Sequence, residues 1–221
     1  MAKKVIIAGA SGMIGGILLD VCLKEDQISE VISLVRKPSG VLHLKLKELV
    51  VTDFINYDAF QSEFNDADIV FYCVGVYTGA VPRDVFRKIT VDYPVALGKA
   101  IYASSPGARF CLLSGQGADR SEKSRIMFAK DKGAAENQLA GMGFKSFHAF
   151  RPGYIYPVTK RKEPNFTYRL MRVLYPGVRL LGKKFSVKST ALAKAMFLTG
   201  MNGSELEIFE NRDIVKLSGE F

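Results

Sequence analysis

The fold is decided by a glycine-spaced stretch near the start of the sequence, Lys4-Val5-Ile6-Ile7-Ala8-Gly9-Ala10-Ser11-Gly12-Met13-Ile14-Gly15. Its four apolar residues at 5–8 predict a short strand that is buried on both faces. An apolar segment of helical period follows at 13–23. Because the glycines close a strand and open a helix, the stretch predicts a dinucleotide-binding turn. The alternative is a glycine-rich turn in another kind of α/β protein.

Each glycine has a physical role in such a turn. Gly9 allows the tight exit from the strand, Gly12 lets a diphosphate approach a backbone without Cβ, and Gly15 lets the helix pack closely on the sheet. The first N–H groups of the helix then point, unpaired, towards the phosphate. We therefore expect the cofactor to contact the whole turn, which consists of Gly9, Ala10, Ser11, Gly12, Met13, Ile14 and Gly15.

Composition indicates a globular protein of one domain. The chain has 221 residues, of which 48% are hydrophobic and 24% are charged, and no apolar run is long enough to span a bilayer. The three cysteines, Cys22, Cys73 and Cys111, are widely spaced in apolar segments, which predicts buried, reduced thiols in a cytoplasmic protein. The two histidines, His43 and His148, are isolated, so we expect no metal site.

The net charge of +9 is concentrated in one segment. Residues 160–194 hold ten Lys or Arg residues and one acid, Glu163, so this segment carries the whole excess. Such a field predicts a protein partner or an anionic ligand, unless the cations simply form a solvated face. A phosphorylated substrate and a membrane surface are anions that would fit. We do not expect nucleic acid, because the sequence has no recognisable reading element.

Strands alternate with helices along the first two thirds of the sequence. Strands are predicted at 5–8, 30–35, 46–51, 67–74, 110–113 and 147–151, and helices at 13–23, 57–64, 83–103 and 123–142. The alternation predicts an α/β fold with a doubly wound parallel sheet, the Rossmann fold, in a single domain that spans 1–221.

After residue 153 the pattern changes. A helix is predicted at 187–198, followed by a short strand at 207–209 and a final helical turn. We expect 1–153 to form the cofactor-binding core. We expect 154–221 to form a small cap in the same domain, over the carboxyl ends of the strands, where a substrate would bind.

The end of the second strand indicates which cofactor is bound. An acidic residue there would bind a free 2′-hydroxyl of the adenosine ribose, whereas an arginine accommodates a 2′-phosphate. Arg36 and Lys37 occupy this position, and no Asp or Glu occurs from 31 to 47. The pair therefore predicts NADP in preference to NAD. The alternative is that both cations are merely solvated at a strand end.

Other strand ends supply the remaining predicted cofactor contacts. Asp53 would accept a hydrogen bond from the adenine amino group, with Phe54 lining the ring, although Asp is equally common as a turn or cap residue. The backbone that leaves the fourth strand would run beside the diphosphate. A rigid turn after the sixth strand would also lie beside the cofactor. These two segments are Cys73-Val74-Gly75 and Pro152-Gly153-Tyr154.

The order and spacing of several motifs resemble the short-chain dehydrogenase/reductase superfamily. The motifs are the turn at 9–15, Ser114 at a strand end, Lys132 four residues after an aromatic residue, and Phe150-Arg151-Pro152-Gly153. The stretches 112–119, 132–136 and 210–217 are especially similar to its atypical branch, which includes NmrA-like and Tat-interactive-protein-like members. The resemblance spans nearly the whole chain and implies an NADP-binding Rossmann fold.

The resemblance also implies catalytic positions, one of which is altered. In the superfamily a Ser orients the substrate carbonyl, a Tyr exchanges the proton, and a Lys four residues later lowers the pKa of the Tyr and binds the nicotinamide ribose. Ser114 and Lys132 match this pattern, but Phe128 occupies the Tyr position and has no proton to exchange. Tyr77, Tyr154 or Asp119 would have to replace the Tyr as the proton donor. The alternative for Phe128 itself is that it is simply a core residue.

Three functions are compatible with these residues. The first is an NADP-dependent oxidoreductase that acts on a carbonyl-type substrate with a non-standard acid. The second is a non-catalytic NADP(H)-binding redox sensor or scaffold that engages a partner through its basic carboxyl-terminal surface. A nucleotide-sugar epimerase or dehydratase is weaker, because such enzymes are usually longer and need the missing Tyr. The small-molecule substrate, and the choice between monomer and homodimer, are left open.

Overall fold

Seven parallel strands form the central sheet of the computed structural model, which describes residues 2–159 and 185–219. The strands are β1 (Lys3–Ala8), β2 (Ile28–Val35), β3 (Leu46–Val50), β4 (Ile69–Tyr72), β5 (Arg109–Leu113), β6 (Ser146–Arg151) and β9 (Ile208–Glu210). Their order across the sheet is β3-β2-β1-β4-β5-β6-β9. Two further strands, β7 (Tyr154–Tyr156) and β8 (Ser186–Lys188), pair in parallel as a separate small sheet.

Six α-helices connect or follow these strands in the described part of the chain. They are α1 (Met13–Lys24), α2 (Arg83–Arg87), α3 (Tyr93–Ser104), α4 (Met127–Ala140), α5 (Ser189–Asn202) and α6 (Asn211–Ser218). A π-helical turn at Lys88–Asp92 joins α2 to α3, and a 3-10 helix spans Asp58–Phe64. No described helix has the length and apolar character needed to cross a membrane.

Alternating side chains of each strand pack into two separate layers of core. Val5 and Ile7 of β1 lie in one cluster with residues of α1, α5 and α6. Ile6 and Ala8 lie in the other cluster with residues of α3 and α4. Because the strands are covered on both faces, they are apolar without a polar alternation. The doubly wound parallel sheet predicted from the sequence is confirmed.

The part of the chain expected to form a cap divides into two. Helix α5 buries Leu192 and Met196, α6 buries Ile214, and β9 pairs with β6, so 189–218 extend the core sheet and its helical layer. The apolar side chains of these elements cause this packing, because they need a second apolar surface. Residues 160–184, which carry most of the basic segment, lie outside the described residues.

Two predicted helix starts are wrong, for local reasons. The helix predicted from residue 187 begins at Ser189, because Ser186–Lys188 pair with β7 instead. The helix predicted from residue 123 begins at Met127. The preceding turn folds back on Asp119, whose carboxylate accepts hydrogen bonds from the backbone N–H groups of Ser121 and Ser124 at 2.9 and 2.8 Å.

Candidate cofactor and ligand site

The glycine turn after β1 is built so closely that two of its positions exclude a side chain. Gly9 has φ +92°, and a Cβ there would lie 2.8 Å from the carbonyl carbon of Cys73, at the end of β4. A Cβ on Gly15 would lie 2.2 Å from the carbonyl oxygen of Gly9. The turn is therefore wedged between β4 and the first turn of α1, and only glycine fits at either position.

The space above this turn is open to a diphosphate. Gly12 precedes α1 with an extended backbone, and neither a side-chain cap nor an acid in the first turn occupies the helix N-terminus. A Cβ on Gly75 would meet no atom within 4 Å. The side chain of Ile14 is buried, and that of Met13 packs on the core, so α1 directs backbone rather than side chains at this space. These features fit the diphosphate of a dinucleotide.

Two exposed cations lie where the sequence predicts the adenosine ribose. Arg36 and Lys37 directly follow β2, and Leu34 pairs in register with Ala8 just before the glycine turn. Asp53 is exposed and accepts a hydrogen bond from the Ile55 N–H at 3.0 Å, which makes it a turn residue in this arrangement.

Phe54, which is predicted to line the adenine ring, turns into the core instead. It is 9% exposed, and its ring stacks on Tyr93 of α3 with 5.5 Å between the ring centroids. Sequence position alone does not reveal this contact, because it depends on how α3 crosses the end of β3.

Ser114 lies directly after β5 and is hydrogen-bonded to an acid that the sequence motifs do not single out. Its Oγ donates to Oε1 of Glu136 at 2.6 Å, and both side chains are buried. The hydroxyl has a single hydrogen, so in this arrangement Ser114 presents only acceptor lone pairs to the cleft. The orienting hydrogen bond that a superfamily Ser gives to a substrate carbonyl is therefore already committed to Glu136.

Glu136 is the centre of a buried network at the strand ends. Besides the Ser114 hydroxyl, it accepts hydrogen bonds from Nε of Arg120 at 3.0 Å and from two nitrogens of Arg151 at 3.0 and 2.6 Å. Arg120 also pairs with Glu207, and Arg151 with Glu210. Two guanidinium groups thus compensate a carboxylate that has no solvent exposure. The network ties β5, β6 and β9 to α4.

Phe128 and Lys132 lie on the same face of α4 as Glu136, because they precede it by eight and four residues. The tip of the Phe128 ring lies on the turn after β5, where a Cβ on Gly115 would be 2.5 Å from its Cζ. Lys132 donates from Nζ to the carbonyl of Leu113 at 3.3 Å. Burial lowers the pKa of Lys132 to about 8, against the opposing effects of Glu136 and Cys73.

A cavity of about 290 Å³ separates Phe128 from the turn after β6. Its lining is mostly apolar or backbone, with Ser114 and Gln116 as the polar side chains; the other lining residues are Gly115, Phe128, Pro152, Gly153 and Ile155. Asn211 fixes this wall, because its side chain accepts from the Gly153 N–H at 2.8 Å and donates to the Ser186 carbonyl at 2.9 Å. The cavity joins the predicted catalytic Ser114 to the predicted cofactor turn at 152–154.

The candidate substitutes for the missing Tyr differ in their surroundings. The Ser121 side chain and nearby backbone N–H groups hold the pKa of Asp119 below its usual range, so Asp119 is not a proton donor near neutral pH. Tyr77 lies in the connection between β4 and α2, and Tyr154 begins β7. Both tyrosines are half-buried and lie after carboxyl ends of strands.

Cys22 and Cys111 are buried thiols, and Cys73 is half-buried. Burial raises the pKa of Cys22 and of Cys73 to about 12, and it raises the pKa of Cys111 further. Among the described residues, no group of three His, Cys, Asp or Glu side chains is placed to hold a metal ion.

A second buried acid on α4 also escapes the sequence motifs. Asp131 has no solvent exposure and accepts hydrogen bonds from Arg83 at 2.5 and 2.9 Å and from Arg87 at 3.0 Å. It thereby fixes the turn of α4 between Phe128 and Lys132 against α2. An acid within an apolar helix pattern is the signal that could have found both Asp131 and Glu136, because buried acids need cationic partners.

Several known proteins are similar to this chain in sequence or in fold. Protein HTATIP2 of Rattus norvegicus is 28% identical over 221 residues, which cover 97% of this chain and 89% of the rat protein. The structure of Gre2 from Candida albicans in complex with NADPH has a TM-score of 0.69 at 17% identity, over 94% of this chain and 78% of that one. MoeE5 in complex with UDP-glucose and NAD has a TM-score of 0.68 at 17% identity, over 98% and 81%.

A family model matches the first half of the chain. It is described as the NAD dependent epimerase/dehydratase family, and it matches residues 5–117, just over half of the 221 residues. The matched part runs from β1 through the glycine turn to the turn after β5. The resemblance to short-chain dehydrogenases/reductases found in the sequence is therefore confirmed. The chain belongs to the NAD dependent epimerase/dehydratase family.

Proposed function

We propose that this protein binds NADP(H) together with a small, largely apolar ligand, and that hydride transfer between them is slow or absent. The observation that carries the proposal is the hydrogen bond from Ser114 to buried Glu136 at 2.6 Å, beside a Phe in the Tyr position. The residues predicted to bind the cofactor are kept. Neither of the superfamily's two hydroxyls, that of the Tyr and that of the Ser, is available to donate a hydrogen to the ligand.

Cofactor binding would rest mainly on backbone. The turn at 9–15 would hold the diphosphate at the open N-terminus of α1, and Cys73-Val74-Gly75 and Pro152-Gly153-Tyr154 would flank it. Arg36 and Lys37 would pair with the 2′-phosphate and favour NADP over NAD. A bound nicotinamide would supply or accept a hydride. Lys132 would then face the nicotinamide ribose, as the resemblance implies.

The lining of the cavity indicates the chemistry of the second ligand. Phe128 and Ile155 offer apolar surface, and the Ser114 Oγ offers an acceptor. A ligand with an apolar body and one hydroxyl or amine donor would complement this lining, whereas a carbonyl would meet no hydroxyl donor from Ser114. A non-catalytic NADP(H)-binding sensor or scaffold is compatible with this lining, because such a ligand would bind beside the cofactor without oxidising or reducing it.

Titration calorimetry with NADPH and with NADH tests the cofactor half of the proposal. Gly12→Val should abolish NADPH binding, because its side chain would enter the diphosphate space, and Gly107→Val is the matched control, since a Cβ there meets no atom within 4 Å. NADPH should bind more tightly than NADH. Single-turnover assays with a panel of aldehydes and ketones test the catalytic half. Rapid turnover by the wild type would overturn the proposal that hydride transfer is slow or absent.

A reductase that uses Lys132 as the acid is the second candidate. The favouring observation is the pKa of Lys132, which burial lowers to about 8, because an acid with a pKa near the working pH is an effective proton donor. The ammonium form donates the proton, so reduction would slow as pH rises through that value. A reduction rate that stays constant as the pH passes through the pKa of about 8 would exclude Lys132 as the acid.

Partner and location are also proposals. The basic segment at 160–194 would engage a protein partner or an anionic ligand, and the reduced thiols favour the cytoplasm. A nucleotide-sugar substrate has weaker support, since that chemistry would need the same missing Tyr.

A further inference from the structure

The connection between β2 and β3 carries the two most exposed apolar side chains of the described residues. Leu42 is 96% exposed and Leu44 is fully exposed at 106%, whereas the other exposed large apolar side chains lie between 36% and 67%. Val41, directly before them, is 46% exposed. Single exposed leucines need no explanation, but three neighbouring apolar residues on one protruding loop do.

Hydrogen bonds within the loop lie on both sides of the two leucines. The Val41 N–H donates to Oγ of Ser39 at 3.2 Å, and the Ser39 N–H donates to the Glu48 carboxylate at 2.9 Å. At the other end, the N–H groups of Lys45 and Leu46 donate to Nδ1 and the carbonyl of His43 at 3.1 and 3.0 Å. Because these backbone groups are already paired, they are not offered as a strand edge to a protein partner.

Every charged side chain of the stretch 31–47 that contains the leucines is a cation. Arg36 and Lys37 are exposed at the base of the loop, and neither has an ion pair within 2–159 and 185–219. Lys45 and Lys47 add positive charge, although Lys45 donates to the Glu25 carbonyl and Lys47 pairs with Glu63. Between 31 and 47 there is no acid, and the next acid, Glu48, is engaged by Ser39.

We propose that the loop at 36–45 docks the protein on an anionic membrane surface. Leu42 and Leu44 would enter the boundary between headgroups and acyl chains, while Arg36 and Lys37 would stay at the level of the anionic headgroups. A lipid surface fits better than a protein, because the neighbouring apolar side chains stand out from one loop instead of lining a groove. It also matches the positive charge that surrounds them.

The position of the loop couples membrane docking to the cofactor. Arg36 and Lys37 lie at the end of β2, where the proposed function assigns them to the 2′-phosphate, and this step alone rests on that assignment. The two cations cannot pair fully with the 2′-phosphate and with anionic headgroups at the same time. NADPH and an anionic surface would therefore each weaken the binding of the other by the same factor.

Sedimentation of the full chain with vesicles of phosphatidylcholine, with and without phosphatidylserine, tests docking in the absence of cofactor. The wild type should bind the vesicles that contain phosphatidylserine, and salt should weaken this binding. Leu42→Ser/Leu44→Ser should lower the partition coefficient about tenfold for each leucine, because about 1.4 kcal/mol of apolar burial corresponds to a factor of ten. The matched control, Ile126→Ser/Leu206→Ser, removes two exposed apolar side chains elsewhere and should bind like the wild type.

Two further readouts separate membrane docking from cofactor binding and from self-association. NADPH affinity in solution should be the same for Leu42→Ser/Leu44→Ser and the wild type, so a failure of cofactor binding and a failure of docking are distinguishable. Wild-type protein that binds neither vesicle overturns the proposal. Vesicle binding that survives the leucine substitutions overturns it too, and would assign the binding to another basic surface. A dimer in light scattering that the leucine substitutions abolish would also overturn it, because a second copy of this chain would then cover the loop.

Discussion

Replacing Glu136 by Gln tests whether the buried network holds the carboxyl ends of the strands together. The carboxylate has no solvent exposure and accepts hydrogen bonds from Ser114, Arg120 and Arg151. Gln keeps the size of the side chain but removes the charge, so two guanidinium groups lose their shared anion. Removing one partner of a buried ion pair typically costs about 3–5 kcal/mol of unfolding free energy. Glu207 and Glu210 stay beside the arginines, so we expect the lower half of this range.

The same substitution on the surface is the matched control. Glu30 pairs with Lys4 at 3.4 Å, and its side chain is 38% exposed. Glu30→Gln should therefore cost at most about 1 kcal/mol, as exposed ion pairs do. For a chain of this length, about 1 kcal/mol corresponds to roughly 2–4 °C in Tm. Glu136→Gln should then lower Tm by about 6–16 °C, and Glu30→Gln by at most about 4 °C.

Urea unfolding followed by circular dichroism gives the unfolding free energies, and equal m values would show that both variants unfold from the same compact state. Thermal scans at the same pH provide the Tm values. If Glu136→Gln and Glu30→Gln shift the urea midpoint equally, the network does not stabilise the strand ends, and the assignment of the Ser114 hydrogen to Glu136 loses its support.

Three further predictions concern the cleft. Phe128→Tyr adds a hydroxyl beside Gly115 and should raise NADPH-dependent carbonyl reduction by about 10²–10⁴-fold, the range of one general acid. The control is Phe185→Tyr, at a side chain that is 51% exposed. No gain for Phe128→Tyr would mean that the hydrogen bond from Ser114 to Glu136 also limits the reaction. Arg36→Gln/Lys37→Gln should weaken NADPH binding at least about tenfold and leave NADH binding unchanged, because each lost charge-assisted contact is worth about 1.5–3 kcal/mol. Equal losses of affinity for both cofactors in calorimetry would contradict the assignment of this pair to the 2′-phosphate. Lys132 has a pKa of about 8 in the folded protein, below its pKa in the unfolded chain. Its contribution to the free energy of unfolding is therefore fully present at pH values above the unfolded pKa, and it is lost as the pH falls to about 8. Lys132→Met should therefore be more stable than the wild type at neutral pH, and the difference in urea midpoint should shrink as the pH rises above about 8. A difference in midpoint that does not vary with pH would refute the lowered pKa of Lys132.

The features that the sequence predicts well are those decided by neighbouring residues. Gly15 approaches the carbonyl oxygen of Gly9, only a few residues earlier in the chain, so their spacing already implies the turn and the start of α1. The close approach of Gly9 to Cys73 depends instead on the pairing of β1 with β4. Apolar strands and periodic helices imply the doubly wound sheet, because each element must bury its apolar surface. Catalytic roles for Ser114 and Lys132 are implied by the resemblance and stay predictions.

The features that the sequence does not predict depend on contacts across the fold. The three-residue strand β7 pairs with β8 some thirty positions later, and neither strand is long enough to show a period. Glu136 meets Arg151 only because β5 and β6 are neighbours and α4 crosses them. Phe54 is predicted at the adenine ring, but it is buried because Tyr93 of α3 covers it. In each case the side chain's role is set by which strand ends come together.

Helix α4 shows why the loss of the Tyr hydroxyl is not an isolated change. Phe128, Lys132 and Glu136 follow one another at intervals of four, so they form a stripe that faces the ends of β5 and β6. At the top of the stripe the hydroxyl is missing, and at its base Glu136 takes the hydrogen of Ser114. Restoring only the phenol would return one proton donor but leave the Ser114 hydroxyl turned away from a substrate carbonyl, whereas freeing only Ser114 would leave no phenol. Because both donors are withdrawn at the stripe of α4, while the open glycine turn is retained, the proposed binding of a cofactor and a ligand fits the cleft better than proton exchange between them.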